Sequence, residues 1–196
     1  MRLDMLNPPY EGVDAERVAK WTPPNVEVEP LHTVRMFLRH HPDLAETMRP
    51  LAWFFLDPTK SSIDEVRVRE LVVARTCARA RCEYQWGVHQ AVFGEAAGFT
   101  PEQRVATVEG SPDDPAWDDE RDRAVLRAVD ELIDTATLSD GAWQGLRAHL
   151  SEQQTLELVA LAGWYLLNCF TSNATQTPLE PFAARFPAPA PVSASG

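Results

Sequence analysis

Residues 70–89 read ELVVARTCARARCEYQWGVH, and the reading of this stretch decides the fold. Upstream of it, Ser62 followed by Glu65 has the form of a capping box, which predicts a helix opening at Ile63. Val66, Leu71, Val72 and Ala74 carry that helix forward, and helical character runs on to Phe93 before Gly94–Gly98 ends it. On the N-terminal side, Leu31, Val34, Phe37 and Leu38 sit at three-to-four spacing, the mark of a short amphipathic helix ending near His40. Pro42 starts another that continues apolar to Leu56, with a kink or break expected at Pro50. On the C-terminal side, Thr100, Pro101 and Gln103 supply an N-cap, a first-turn proline and a capping partner. Gly110–Trp117 (GSPDDPAW) is turn chemistry and predicts a loop. Asp118–Thr135, Ser139–Leu150 and Glu152 to about Thr175 read as three further helices, the last capped by Ser151 and Gln154. No segment alternates with a period of two, so the fold class expected is all-α.

The flanks differ in composition. Five prolines between Pro8 and Pro30 suggest an extended N-terminal arm over residues 1–30, and Pro187, Pro189 and Pro191 suggest an unpacked tail over 187–196. The expected domain spans 31–186. With 196 residues in all, one core can bury roughly two-thirds of the unfolded surface without a disulfide or metal. The 18 basic and 29 acidic side chains give a net charge of −11, which repels phosphate backbones and anionic lipid. Nucleic acid and membrane are therefore poor partners, and no apolar run reaches spanning length. An odd cysteine count and no basic, apolar start predict a reducing, cytoplasmic setting.

Chemistry concentrates in the opening stretch. On a continuous helix, Cys82, Gln85 and His89 fall at i, i+3 and i+7 and share one face. A thiol paired with an imidazole is the arrangement of an activated thiolate, and an active Cys82 would have a pKa below about 8.5. Glu70 lies about 100° around the helix from His89, so it joins them only if the helix breaks in between. Joined, it would orient the imidazole or relay its proton. The competing reading is core packing, since cysteine is among the most buried residue types. Cys77, about 140° from Cys82, is a poor disulfide partner, and Cys169 reads as a small buried hydrophobe. The spacings lack a C-x-x-C or H-x-x-x-H pair, so a metal is not expected. His40 and His41 read as capping or packing groups. Arg67, Arg69, Arg75, Arg79 and Arg81 read as a charge stripe, solvated or paired, one of which could hold an anionic substrate. Trp53, Phe54, Phe55, Trp143 and Trp164 read as core or subunit contacts.

Glu70, eleven intervening residues, Cys82, then Tyr84, Trp86 and His89 resemble the signature of the carboxymuconolactone decarboxylase family, which includes the alkylhydroperoxidase D proteins. FLRHHPDLA, AAGFTPEQ, EGSPDDPAW and LELVALAGWYLLNCFTSN are similar to segments in corresponding places, so the resemblance covers about Leu31–Pro181. It implies the alkylhydroperoxidase D-like helical fold, assembled as homo-trimers or hexamers, with no cofactor. In the peroxidase branch a second cysteine follows the first by three residues. Gln85 occupies that position here and cannot resolve a sulfenic acid.

Three activities are therefore expected in turn. The first is a one-cysteine peroxidase, with Cys82 attacking a peroxide and Glu70 and His89 relaying the proton. The second is a lyase, decarboxylase or isomerase acting on a small lactone or organic acid. There His89 would be the acid–base group, an arginine would bind the carboxylate, and Tyr84, Gln85 and Trp86 would line the pocket. The third is a catalytically silent small-molecule binding protein.

Overall fold

The computed structural model describes residues 1–22 and 28–188; the arm's Pro23 and Pro24 and the tail's Pro189 and Pro191 lie outside them. Among the described residues there are nine helices and no strand, as the absence of period-two patterning implies. The helices are α1 (Gly12–Trp21), α2 (His32–His40), α3 (Pro42–Leu56), α4 (Val66–Arg79), α5 (Glu83–Phe93), α6 (Pro101–Val108), α7 (Glu120–Thr135), α8 (Asp140–Arg147) and α9 (Glu152–Thr175). None of them is long and apolar enough to cross a membrane.

Helix α4 is the axis of the molecule. From Val68 to Cys77 every residue is buried, because α5, α6, α7 and α9 enclose it. Two arginines inside that run are kept by ion pairing. Arg75 holds Asp130 of α7 through two bonds of 2.6 and 2.7 Å, and Arg69 donates to Glu70 at 2.8 Å. Arg67 pairs with the buried Asp122, and Arg79 with Asp130 and Asp134. The charge stripe is thus mostly a set of fastenings between α4 and α7. Burying charges is tolerable only when each is paired and hydrogen-bonded.

Several helix ends follow their sequence signals. Thr100 with Gln103 and Ser151 with Gln154 form reciprocal capping boxes, Ser139 caps α8, and His41 caps α3 through a bond from the Leu44 N–H at 3.3 Å. The Ser62–Glu65 box does not form. Helix α4 starts three residues later than expected, at Val66, because Glu157 of α9 takes the serines for itself. It accepts from the Ser61 and Ser62 hydroxyls at 2.5 Å each and from the Ser62 N–H at 2.7 Å. Pro50 sits inside α3 without ending it.

The N-terminal segment is not an extended arm. Gly12–Trp21 is helical, and Leu6 and Val18 bury against Leu38 and Ala45 in a small second core. Arg35 fixes the preceding chain by donating to the Leu6 carbonyl at 2.7 Å and the Asn7 side chain at 2.6 Å.

Candidate functional site

Helix α4 stops at a tight reversal. The Arg81 N–H bonds to the Ala78 carbonyl at 2.9 Å, the Cys82 N–H bonds to the Cys77 carbonyl at 2.8 Å, and Arg81 takes φ = +53°. This is a Schellman stop with arginine in the left-handed position that glycine usually fills. Cys82 then caps α5, and the two helices pack together as a hairpin. The single helix expected through Phe93 is therefore two. That break brings Glu70 to His89.

The Glu70 carboxylate is 1 % exposed and is shared between two partners. Its Oε1 accepts from Arg69 at 2.8 Å, and its Oε2 lies 2.7 Å from His89 Nδ1. The carboxylate requires a proton on Nδ1, so Nε2 is the imidazole position left to exchange one. The edge of Tyr165 and the ring of Phe93 hold the imidazole plane, with centroids 4.8 and 5.3 Å away. The Arg69 guanidinium lies 4.7 Å over Phe93.

His89 and Gln85 open onto a cavity of about 180 Å³. Val34 and Phe37 of α2, Met48 and Trp53 of α3, and Trp164 and Asn168 of α9 form most of its wall, and Trp21 at the end of α1 closes one side. Trp53 and Trp164, read from the sequence as core or subunit contacts, are pocket residues. Trp21, whose place between prolines hinted at docking, also lines it, as do Tyr165 and Asn168, which carried no sequence signal.

Cys82 does not line this cavity. It is wholly buried, and its thiol contacts Cys169 and Ser172 of α9. The contact with Cys169 and burial both push it up, away from the thiolate. Cys77 is likewise raised, by burial first, and Cys169 by its contact with Cys77. All three are free thiols in one buried cluster. The direction is opposite to the activation that the Cys82–His89 spacing suggested.

Tyr84 and Trp86 face away from the cavity. Tyr84 donates its hydroxyl to Glu180 at 2.5 Å, and that carboxylate also accepts the His32 N–H at 2.6 Å. Trp86 donates to the Thr107 hydroxyl at 3.1 Å and packs edge-on against Phe186. Both lock α5 into the molecule, while Gln85 alone of the three reaches the pocket. The expected carboxylate-binding arginine is also missing from it. No arginine or lysine among the described residues lines the wall, and the candidates on α4 are engaged elsewhere. Among the described residues no group of three or more His, Cys, Asp or Glu side chains is arranged to hold a metal ion.

Neither a scan against protein-family models nor a search of curated proteins finds a match for this chain.

Proposed function

We propose that the protein is a small-molecule enzyme of the lyase or isomerase type in which His89 moves a proton on a bound lactone or related cyclic compound. The observation that carries this is the buried Glu70–His89 pair, 2.7 Å apart, whose imidazole lies on the wall of an apolar cavity that Cys82 does not line. Glu70 fixes the tautomer and the ring orientation. Nε2 takes a proton from carbon next to the substrate carbonyl, leaving an enolate beside an imidazolium. The imidazolium returns the proton to a different carbon, which completes an isomerisation, or to a leaving group. Positioned acid–base catalysis of this kind contributes about 10²–10⁴-fold.

The test is solvent-deuterium exchange, followed by NMR, across a panel of lactones and cyclic ketones in D₂O. The wild type and Cys82→Ala should exchange the substrate C–H, and His89→Gln should lose it. Exchange that survives His89→Gln would overturn the assignment. A sulfenic acid trapped at Cys82 within seconds of a peroxide pulse would move the chemistry to the thiol and favour the peroxidase reading.

The reading extends to a homo-oligomer, as the family resemblance implies. Leu156, Ala160, Gly163, Leu167, Phe170 and Ala174 are all exposed on α9 and recur at alternating four- and three-residue spacing. Such a seam fits a partner helix, and Ala160 and Gly163 leave room for close approach. Phe170 is 63 % exposed. Phe170→Glu should reduce the mass measured by light scattering; an unchanged mass would exclude this face.

A further inference from the structure

We infer that the ligand of this cavity is a neutral single-ring molecule carrying a hydroxyl or N–H donor. The inference rests on the proposal that this cavity is where His89 works, and it narrows the substrate class. The first support is the orientation of two amides. Asn168 Nδ2 donates one hydrogen to the Trp164 carbonyl at 2.8 Å and keeps its second, while Oδ1 takes no donor from the protein. Ser172 donates its hydroxyl proton to the Asn168 carbonyl at 2.8 Å, and can therefore only accept from Gln85 Nε2, 3.3 Å away. Gln85 thereby keeps Oε1 and its second Nε2 hydrogen. Both residues line the cavity, and both have an acceptor to spare.

The second support is His89. Its Nδ1 hydrogen is committed to Glu70, so the neutral ring presents a lone pair at Nε2. Tyr165 and the spare amide hydrogens of Gln85 and Asn168 can donate, but neutral donors do not balance a buried charge. With no lysine or arginine among the described residues of the wall, a carboxylate entering the cavity would lose its hydration and find no counter-charge. A ligand hydroxyl or N–H meets the spare carbonyl oxygens directly. The third support is size. A cavity of about 180 Å³ is close to the roughly 150 Å³ that holds a benzene ring. Among the activities expected from the sequence, decarboxylation of an organic acid fits this wall least, and proton transfer on a hydroxylated lactone, enol or phenol fits it best.

The experiment is calorimetric titration of the intact protein at pH 7.5 with phenol, anisole and benzoate, three single rings differing in donor and charge. Phenol should bind at least about tenfold more tightly than benzoate, with anisole in between. Gln85→Leu should lower phenol affinity about five- to tenfold and leave anisole unchanged, which also shows that the variant keeps its cavity. Benzoate binding as tightly as phenol would overturn the inference. Indifference of phenol to Gln85→Leu, or no binding of any of the three at millimolar concentration, would do the same. Because the readout is binding, it separates from the His89 assignment. Preference for phenol together with deuterium exchange that survives His89→Gln would refute the His89 assignment and keep the ligand class.

Discussion

Truncating Glu70 to alanine tests whether the pair beneath the cavity is a closed electrostatic unit. The carboxylate is buried, and its removal leaves the Arg69 guanidinium, itself only 7 % exposed, without an anion. It also leaves His89 Nδ1 without its acceptor. Breaking a buried pair on one side costs about 3–5 kcal/mol, because the remaining charge stays desolvated. For a chain of this length each kcal/mol moves the melting temperature by about 2–4 °C, so the expected fall is about 6–20 °C. Glu70→Gln keeps an acceptor for one neighbour and should cost less, about 1.5–3 kcal/mol. Adding Arg69→Met to Glu70→Gln removes the stranded cation and should recover part of that loss. The cycle through the two single variants would then show a coupling of about 2 kcal/mol. Urea unfolding followed by circular dichroism and tryptophan fluorescence reads these values directly, provided the denaturant slope is unchanged. A Glu70→Ala cost below about 1 kcal/mol, or an additive cycle, would mean that the pair is solvated and does not hold the imidazole.

Three other outcomes are expected. The buried thiols Cys77, Cys82 and Cys169 are all raised in the folded state, so their stabilising effect is complete below the pKa of a free thiol and is lost as pH rises above it. Stability should fall from about pH 8.5 by up to about 4 kcal/mol per pH unit for the three together, and a urea series at pH 8, 9 and 10 that stays flat would contradict this. A methyl group at Gly87 would stand 2.2 Å from the Ala184 carbonyl oxygen, so Gly87→Ala should detach residues 180–186. The cost should be about 1–3 kcal/mol, with faster tryptic cleavage after Arg185; unchanged cleavage would refute the contact. Arg81→Gly relieves a left-handed arginine and should stabilise by a few tenths to about 1 kcal/mol, whereas a loss in thermal unfolding would show that the arginine side chain holds the turn.

The helical content was legible because its signals are local. Thr100 with Gln103 and Ser151 with Gln154 each place a side-chain oxygen three residues from the N–H it satisfies. The break at Arg81 was not legible, since a Schellman stop is announced by glycine and here arginine pays the steric strain. Without that break, Glu70 and His89 stood on different faces of one expected helix. Ser62 and Glu65 carried a local capping signal that lost to Glu157, ninety-five positions away, whose carboxylate offers stronger charged bonds. Glu70 and His89 could be named in advance, but the pocket beside them could not. Trp53 and Trp164 carry the same pattern whether they fill a core or line a cavity. Trp21 reaches the wall only because residues 12–21 fold into a helix that the prolines around it obscured.

The docking of residues 180–186 onto α5 sets an order for the making of this protein. Glu180 accepts from Tyr84, and Ala184 bonds to Gly87 at 3.0 Å, so α5 receives its last partners from the far end of the chain. A ribosome adding about 5–20 residues per second needs about 5–20 s to pass from the α4–α5 hairpin to that segment. For most of that interval the hairpin exists without a complete α9, and throughout it without its C-terminal clasp, so its apolar faces are open to other chains. Messages truncated before codon 180 would therefore yield a product that holds the Glu70–His89 pair yet is a client of chaperones, and yield of folded protein should respond to translation speed between codons 90 and 180 more than to speed elsewhere.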